Sequence, residues 1–400
     1  MSDVPLITID VPRGGVPPLI HDGIDWAVRT LASGHGPFAM DTERAMGIRY
    51  SNRAYLIQIR REGAGTFLID PVGIEDRLET LAEVLHTDTW ILHSAFQDLP
   101  CLRELGLEPP TIYDTEMAGL LLGFERVSLQ AEIADVLGYD LAKEHSFSDW
   151  SARPLTSALL SYAALDVEFL VELSNELTAR LEKAGRMEWF RQECEEIRLR
   201  KVKEPTEEAW RSAARSFKIR DRRALGMLES LWEERENIAR ERDIATGRVL
   251  PNKSLAQIAS MKPRSLEDLQ RSAVLRSRTG RRDAKRYWSA IAPVWSAPQE
   301  ALPVRENNTN DDYMSPARWE TLAPERAERW ALVRPAVIAR AEELGIRQDI
   351  LLKPLIQKQL AWQGWKSIND IPEILANLGA RPWQIENVVP AIVTALEYKS

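Results

Sequence analysis

The chain has 400 residues, 44% of them hydrophobic and 28% charged; that size and balance fit an ordinary globular protein of two to four domains better than one large core. Its two cysteines, Cys101 and Cys194, lie far apart without CxxC spacing, which argues against thiolate zinc sites and a disulfide framework and favours a reducing cytoplasm. No run of eighteen apolar residues occurs, and the start, MSDVPLITIDVPRGG, has no basic segment before an apolar one, so neither membrane insertion nor export is expected.

Strand signals dominate from Pro37 to Asp70. PFAMDTE is an apolar run, AYLIQIR alternates with period two, and TFLID closes at Pro71; these read as three consecutive strands. A helix near Arg77 to His86 follows, then a fourth strand in WILHSAF that runs into a helix, FQDLPCLREL, ending near Gly106. LSYAALDVEFLVELSNELTARLEKAG reads as one long amphipathic helix stopped by Gly185. An antiparallel start followed by βα alternation implies a mixed sheet flanked by helices.

Beyond Pro205 helical periodicity takes over. Residues 205–290 read as a small bundle whose longest helix is RALGMLESLWEERENIARERD. The segment 296–316 is rich in Pro, Asn and acids and reads as a linker. A second helical block, 317–398, repeats the rhythm without a residue-level repeat. The net charge of −8 divides along the same lines: 18 basic against 33 acidic side chains in residues 1–200, 22 against 14 in 201–300, and 12 against 13 in the last hundred. A basic middle beside an acidic first half suits an anionic polymer held by one part and processed by the other, although a charge-rich helical surface gives the same count.

Asp41 and Glu43 stand two apart at the end of an apolar strand. Residues i and i+2 of a strand face one way, so the two carboxylates converge and repel unless a cation lies between them. Asp98, in HSAFQDL, and Asp166, one helical turn after Tyr162, are further acids able to face the same cleft. Four carboxylates with almost no competing His or Cys favour magnesium or manganese over zinc. Two such ions are a recurrent device for phosphoryl transfer.

DTE, HSAFQDL and the Tyr-x-x-x-Asp of Tyr162 and Asp166 resemble the three motifs of the DEDD exonuclease superfamily, tyrosine subclass. Ser161 stands where a sister subclass has histidine. The segment KEHSFSDWSARPLTSALLSYAALDVEFL, with Asp149-Trp150 and Arg153-Pro154-Leu155, looks like bacterial ribonuclease D. Residues 205–290 are similar to the helicase-and-ribonuclease-D C-terminal (HRDC) domain, and 317–398 to a diverged second copy. The resemblance implies an α/β ribonuclease H-like exonuclease domain (1–200), a first HRDC domain (205–295), a linker (296–316) and an HRDC-like domain (317–398).

The same resemblance implies site residues. Asp41 bridges two divalent ions, Glu43 and Asp166 complete the first ion's site, Asp98 supports the second, and Tyr162 orients the attacking water. Met46 is a candidate wedge against the terminal base, and a core role suits it equally. Phe96 is a candidate substrate contact, and His93 ends the strand and supports the cleft. Lys143 and Arg153 are candidate phosphate contacts, although an exposed lysine or a structural arginine would look the same.

The expected activity is 3′-5′ exoribonuclease action giving nucleoside 5′-monophosphates. The expected partners are transfer RNA precursors and small structured RNAs with single-stranded 3′ ends; no membrane is involved, and the protein is expected to act as a monomer. The alternatives are the same chemistry on DNA, a catalytically inactive nucleic-acid-binding adaptor, which the intact acids disfavour, and a helicase, which the missing GxxxxGK[ST] loop disfavours.

Overall fold

The computed structural model describes residues 6–141, 148–201, 209–275, 278–305 and 316–397. Its first two hundred residues hold eight strands among those described: β1 Ile7–Ile9, β2 Leu19–Ile20, β3 His35–Arg44, β4 Ala54–Glu62, β5 Gly65–Ile69, β6 Trp90–Leu92, β7 Ile112–Asp114 and β8 Tyr139–Leu141. Six of them form one sheet in the order β2-β5-β4-β3-β6-β7. β4 runs antiparallel to both β3 and β5, while β2, β6 and β7 pair in parallel with their neighbours. β1 and β8 form a separate parallel pair. The four strands absent from the sequence reading are only two or three residues long, too short for a period to register.

Helices cover the sheet: α1 Ile24–Ser33, α2 Glu79–Leu85, α3 Leu99–Glu104, α4 Thr115–Leu122, α5 Leu129–Leu137, α6 Ser157–Glu168, α7 Leu170–Lys183 and α8 Met187–Leu199. β4 reads as a half-exposed strand in sequence, yet Ala54 to Ile59 are all buried, Gln58 included. Both of its faces are covered: Ile57 and Ile59 join the main core, and Leu56 joins a smaller cluster with Trp150, Ala163 and Ala164.

The long helix expected from Leu160 to Gly185 is two helices, because the chain breaks at Phe169 (φ −110°, ψ 1°). The Phe169 ring is fully buried, 4.9 Å from the Tyr139 ring and under the Arg13 guanidinium at 4.4 Å. The break turns α7 onto the core while α6 keeps its own face toward the sheet.

Two helical bundles follow, and they share an order of elements. In the first, a 21-residue helix Arg222–Arg242 is followed by Thr246–Val249, Asn252–Met261, Leu266–Arg271 and the long Arg278–Ser296. In the second, a 21-residue helix Pro324–Leu344 is followed by Gln348–Leu351, Pro354–Gln363, Ile371–Asn377 and Pro382–Glu397. The first bundle has its own core around Leu228, Leu231, Leu255 and Tyr287. The second does not: Val333, Leu360, Trp383 and Ile392 are continuous with the core of the N-terminal domain. Of the expected linker, residues 306–315 lie outside the described residues.

Candidate active site

β3 lies at the centre of the sheet and delivers Asp41 and Glu43 to its surface, and α6 crosses above it with Asp166. Carboxylate oxygens of Asp41, Glu43 and Asp166 lie within 4.8 Å of one another. Tyr162, one turn before Asp166, hydrogen-bonds to it, and its ring is 6.2 Å from that of buried Trp150. α6 is started at Thr156, whose side chain accepts the Leu159 N–H.

The fourth acid arrives by a different route. The sequence places Asp98 within a helix; the structure has a short 3₁₀ turn, Ala95–Gln97, after which Asp98 stands at the start of α3 with its side chain free of any capping hydrogen bond to that helix. The turn needs a left-handed residue, Ser94 at φ 64°, a conformation that costs a non-glycine residue about 1 kcal/mol or more. Asp114 holds it by accepting the Ser94 and Ala95 N–H groups at 3.1 and 2.9 Å, and also accepts from Met117 at the start of α4. Thr42 donates its hydroxyl to Asp98 Oδ1 at 2.6 Å, and Gln58 donates to Asp41 at 3.4 Å. Arg44 donates to the Gln97 carbonyl at 2.6 Å and lies 3.6 Å from Asp98 Oδ1. Thr42, Arg44, Gln58 and Asp114 are absent from the sequence reading; only the adjacency of Thr42 and Arg44 to the acid pair could have drawn attention to them.

The four acids, Tyr162, Thr42 and Arg44 line an open cleft of about 460 Å³ together with His93, Glu116 and the start of α5. Burial, then repulsion from Asp98 and Asp166, holds Asp41 well above the usual carboxylate range. Burial, then Asp41, does the same to Glu43. Asp98 is pushed up by burial to about 6, against the pull of Thr42 and Arg44. Asp166 is pushed up by burial to about 7, against the Tyr162 hydrogen bond. Four carboxyls raised together form a set that a divalent cation relieves, and an all-oxygen donor set fits a hard one.

The remaining candidates divide. Met46, 65% exposed, is not a core residue, and Phe96 is 47% exposed beside cleft-lining Gln97. His93 lines the cleft with Nδ1 2.8 Å from Thr115 Oγ1; burial lowers it to about 4, so it is neutral at pH 7 and offers phosphate no charge. Arg153 is corrected to a structural residue. Its guanidinium grips Asp70 at 2.6 and 2.8 Å and donates to the carbonyls of Tyr55, Trp150 and Ala152, which leaves no donor aimed at the cleft. Lys143 lies outside the described residues.

The loop that leaves β3 carries Met46 and docks on the first bundle. Asp243 accepts the Tyr50 and Ser51 N–H groups at 3.2 and 3.4 Å, and Ala245 N–H donates to the Ile48 carbonyl at 2.9 Å. The bundle is therefore attached within a few residues of the acid pair.

Known proteins share this arrangement. A family model described as a 3′-5′ exonuclease matches residues 25–182, one described as an HRDC domain matches 224–291, and one described as a 3′ to 5′ exonuclease C-terminal domain matches 313–396. Ribonuclease D of Sphingobium indicum is 30% identical over 299 residues, covering 72% of this chain and 76% of that protein. A solved protein from Bifidobacterium adolescentis has a TM-score of 0.89 at 32% identity, covering 98% of this chain and 100% of that one. Escherichia coli RNase D, described as an exoribonuclease involved in structured RNA processing, has a TM-score of 0.70 at 25% identity, covering 95% and 98%.

Proposed function

We infer the reaction from one premise: the chain belongs to the ribonuclease D family, with a 3′-5′ exonuclease domain at its N-terminal end. The proposed reaction is hydrolysis of RNA from its 3′ end, one nucleoside 5′-monophosphate at a time. The proposed substrates are transfer RNA precursors and small structured RNAs with single-stranded 3′ tails, and the protein acts on them as a monomer in the cytoplasm. One observation carries the reading: two strand carboxylates, a helix carboxylate and a tyrosine meet in one cleft, with a fourth carboxylate on its wall.

Asp41, Glu43 and Asp166 would hold one magnesium or manganese ion, and Asp41 with Asp98 a second. When bound, the pair supplies the Lewis acidity that activates water and offsets charge on the departing oxygen. Tyr162, tied to Asp166, orients the water as a hydrogen-bonding phenol. Met46 and Phe96 offer exposed apolar surface to the terminal bases. The division proposed is 1–200 for catalysis, 205–295 as an HRDC domain, 296–316 as a linker and 317–398 as a second, HRDC-like bundle. The basic surface of 201–300 would hold the upstream phosphates.

The test compares a 3′-tailed RNA with its DNA counterpart, both labelled at the 5′ end, with the released products identified by chromatography. RNA shortened stepwise with nucleoside 5′-monophosphates released supports the reading; equal or faster loss of DNA assigns a DNA exonuclease instead.

A further inference from the structure

Among the described residues, the four acids make one ion pair, the contact of Asp98 with Arg44. The sequence places Arg44 next to the acid pair, and the β3–β4 ladder slips there: Glu43 faces Leu56 while Arg44 faces Ala54, so Tyr55 is passed over. Arg44 lines the same cleft as Asp41 and Glu43. Its side chain is 13% exposed, and its guanidinium is anchored by Nη1 on the Gln97 carbonyl at 2.6 Å. Nη2 faces Asp98 Oδ1, the oxygen that already accepts the Thr42 hydroxyl. Meanwhile Asp41, Glu43 and Asp166 converge without Asp98. The three-acid site has its oxygens gathered, whereas the fourth acid already has a cation as neighbour.

We infer that Arg44 is a positioning residue that holds Asp98 on the cleft wall and sets the affinity of the second divalent ion below that of the first. A fixed positive charge beside the same carboxylate repels an incoming cation, and in a partly buried cleft such a charge is poorly screened. Arg44 therefore keeps Asp98 partly neutralised in the RNA-free enzyme, and the anionic RNA backbone then offsets the repulsion as it enters. The inference rests on the two-ion reading above.

Manganese binding by the RNA-free, full-length protein, followed by electron paramagnetic resonance of free Mn²⁺, tests it without any reaction. The wild type shows one tighter and one weaker ion. R44M and R44Q, which remove the charge, tighten the weaker ion about ten-fold, while R44K stays close to wild type. The glutamine keeps an amide donor for the Gln97 carbonyl, so it carries the test if the methionine variant does not fold. Equal affinities in wild type and R44Q overturn the role of Arg44. Binding of fewer than two ions by the wild type, even with RNA present, takes down the two-ion reading and the inference with it.

Discussion

Carboxyls raised by burial stabilise the fold when protonated and cost it stability when ionised. For Asp98 and Asp166 that stability is fully present below the unfolded value of about 4 and is lost as pH rises through about 6 and about 7. Metal-free protein should therefore melt lower at pH 8 than at pH 5.5, and magnesium should raise the melting temperature more at pH 8. A magnesium shift of equal size at both pH values, read by differential scanning fluorimetry, would count against ion binding by these acids. Tyr162→Phe removes the hydrogen bond that lowers Asp166. Its turnover should fall about 10- to 100-fold and the acid limb of its pH–rate profile should move to higher pH; an unmoved limb would detach Tyr162 from Asp166. Asp98 drew attention through its HSAFQDL motif and loop-to-helix setting, while the pairing of Asp41 with Glu43 and of Tyr162 with Asp166 was legible because strand period two and helix spacing i, i+4 are local rules. Arg153 was not, since the Asp70 that engages it lies 83 residues away, and only the fold brings the two together.

At the scale of elements, α4 and α5 pack so closely that a Cβ on Gly119 would lie 2.0 Å from Glu132 Oε1. Glu132 is fully buried with both oxygens unpartnered, and burial, then Asp114, raises it to about 9. It is a neutral acid at pH 7, and the stability it contributes drains as pH climbs toward 9. Glu132→Gln should flatten that alkaline loss in urea titrations between pH 7 and 9; an unchanged slope would show another group responsible. The break at Phe169 belongs to the same scale. Helical period runs straight through it in the sequence, and the tertiary setting of one aromatic ring overrides the pattern. The short strands β1, β2, β7 and β8 exist because neighbours pair with them, which no local signal records.

At the scale of the whole molecule, the second bundle is part of the N-terminal domain's core. Trp189 stacks on Trp383 with centroids 4.7 Å apart, and Arg381 grips buried Glu193 at 2.7 and 2.8 Å. Arg186 donates to the carbonyls that end α4 and the helix Pro324–Leu344, at Leu121 and Leu344. Arg381→Met leaves Glu193 buried without its cation and should cost about 3 kcal/mol, with faster hydrogen exchange in α8 and Pro382–Glu397. Loss below about 1 kcal/mol would mean the pair is dispensable. The basic surface of 201–300 is proposed to hold upstream phosphates, and removal of residues 205–400 is one way to probe it. The shared core makes that truncation expose α8 as well, so substitutions on the basic first bundle are the cleaner probe of RNA affinity.

The most direct measurement is digestion of a 5′-labelled, 3′-tailed RNA by the wild type and by Asp41→Ala, each with magnesium, manganese or EDTA. The expected result is a ladder shortening from the 3′ end in the wild type with either ion. With EDTA it should vanish, and in Asp41→Ala it should fall at least about 10³-fold, a loss of about 4 kcal/mol of transition-state stabilisation. An Asp41→Ala ladder equal to wild type, or a wild-type ladder that survives EDTA, would contradict the metal-dependent cleft; RNA that binds and stays intact would point to an adaptor.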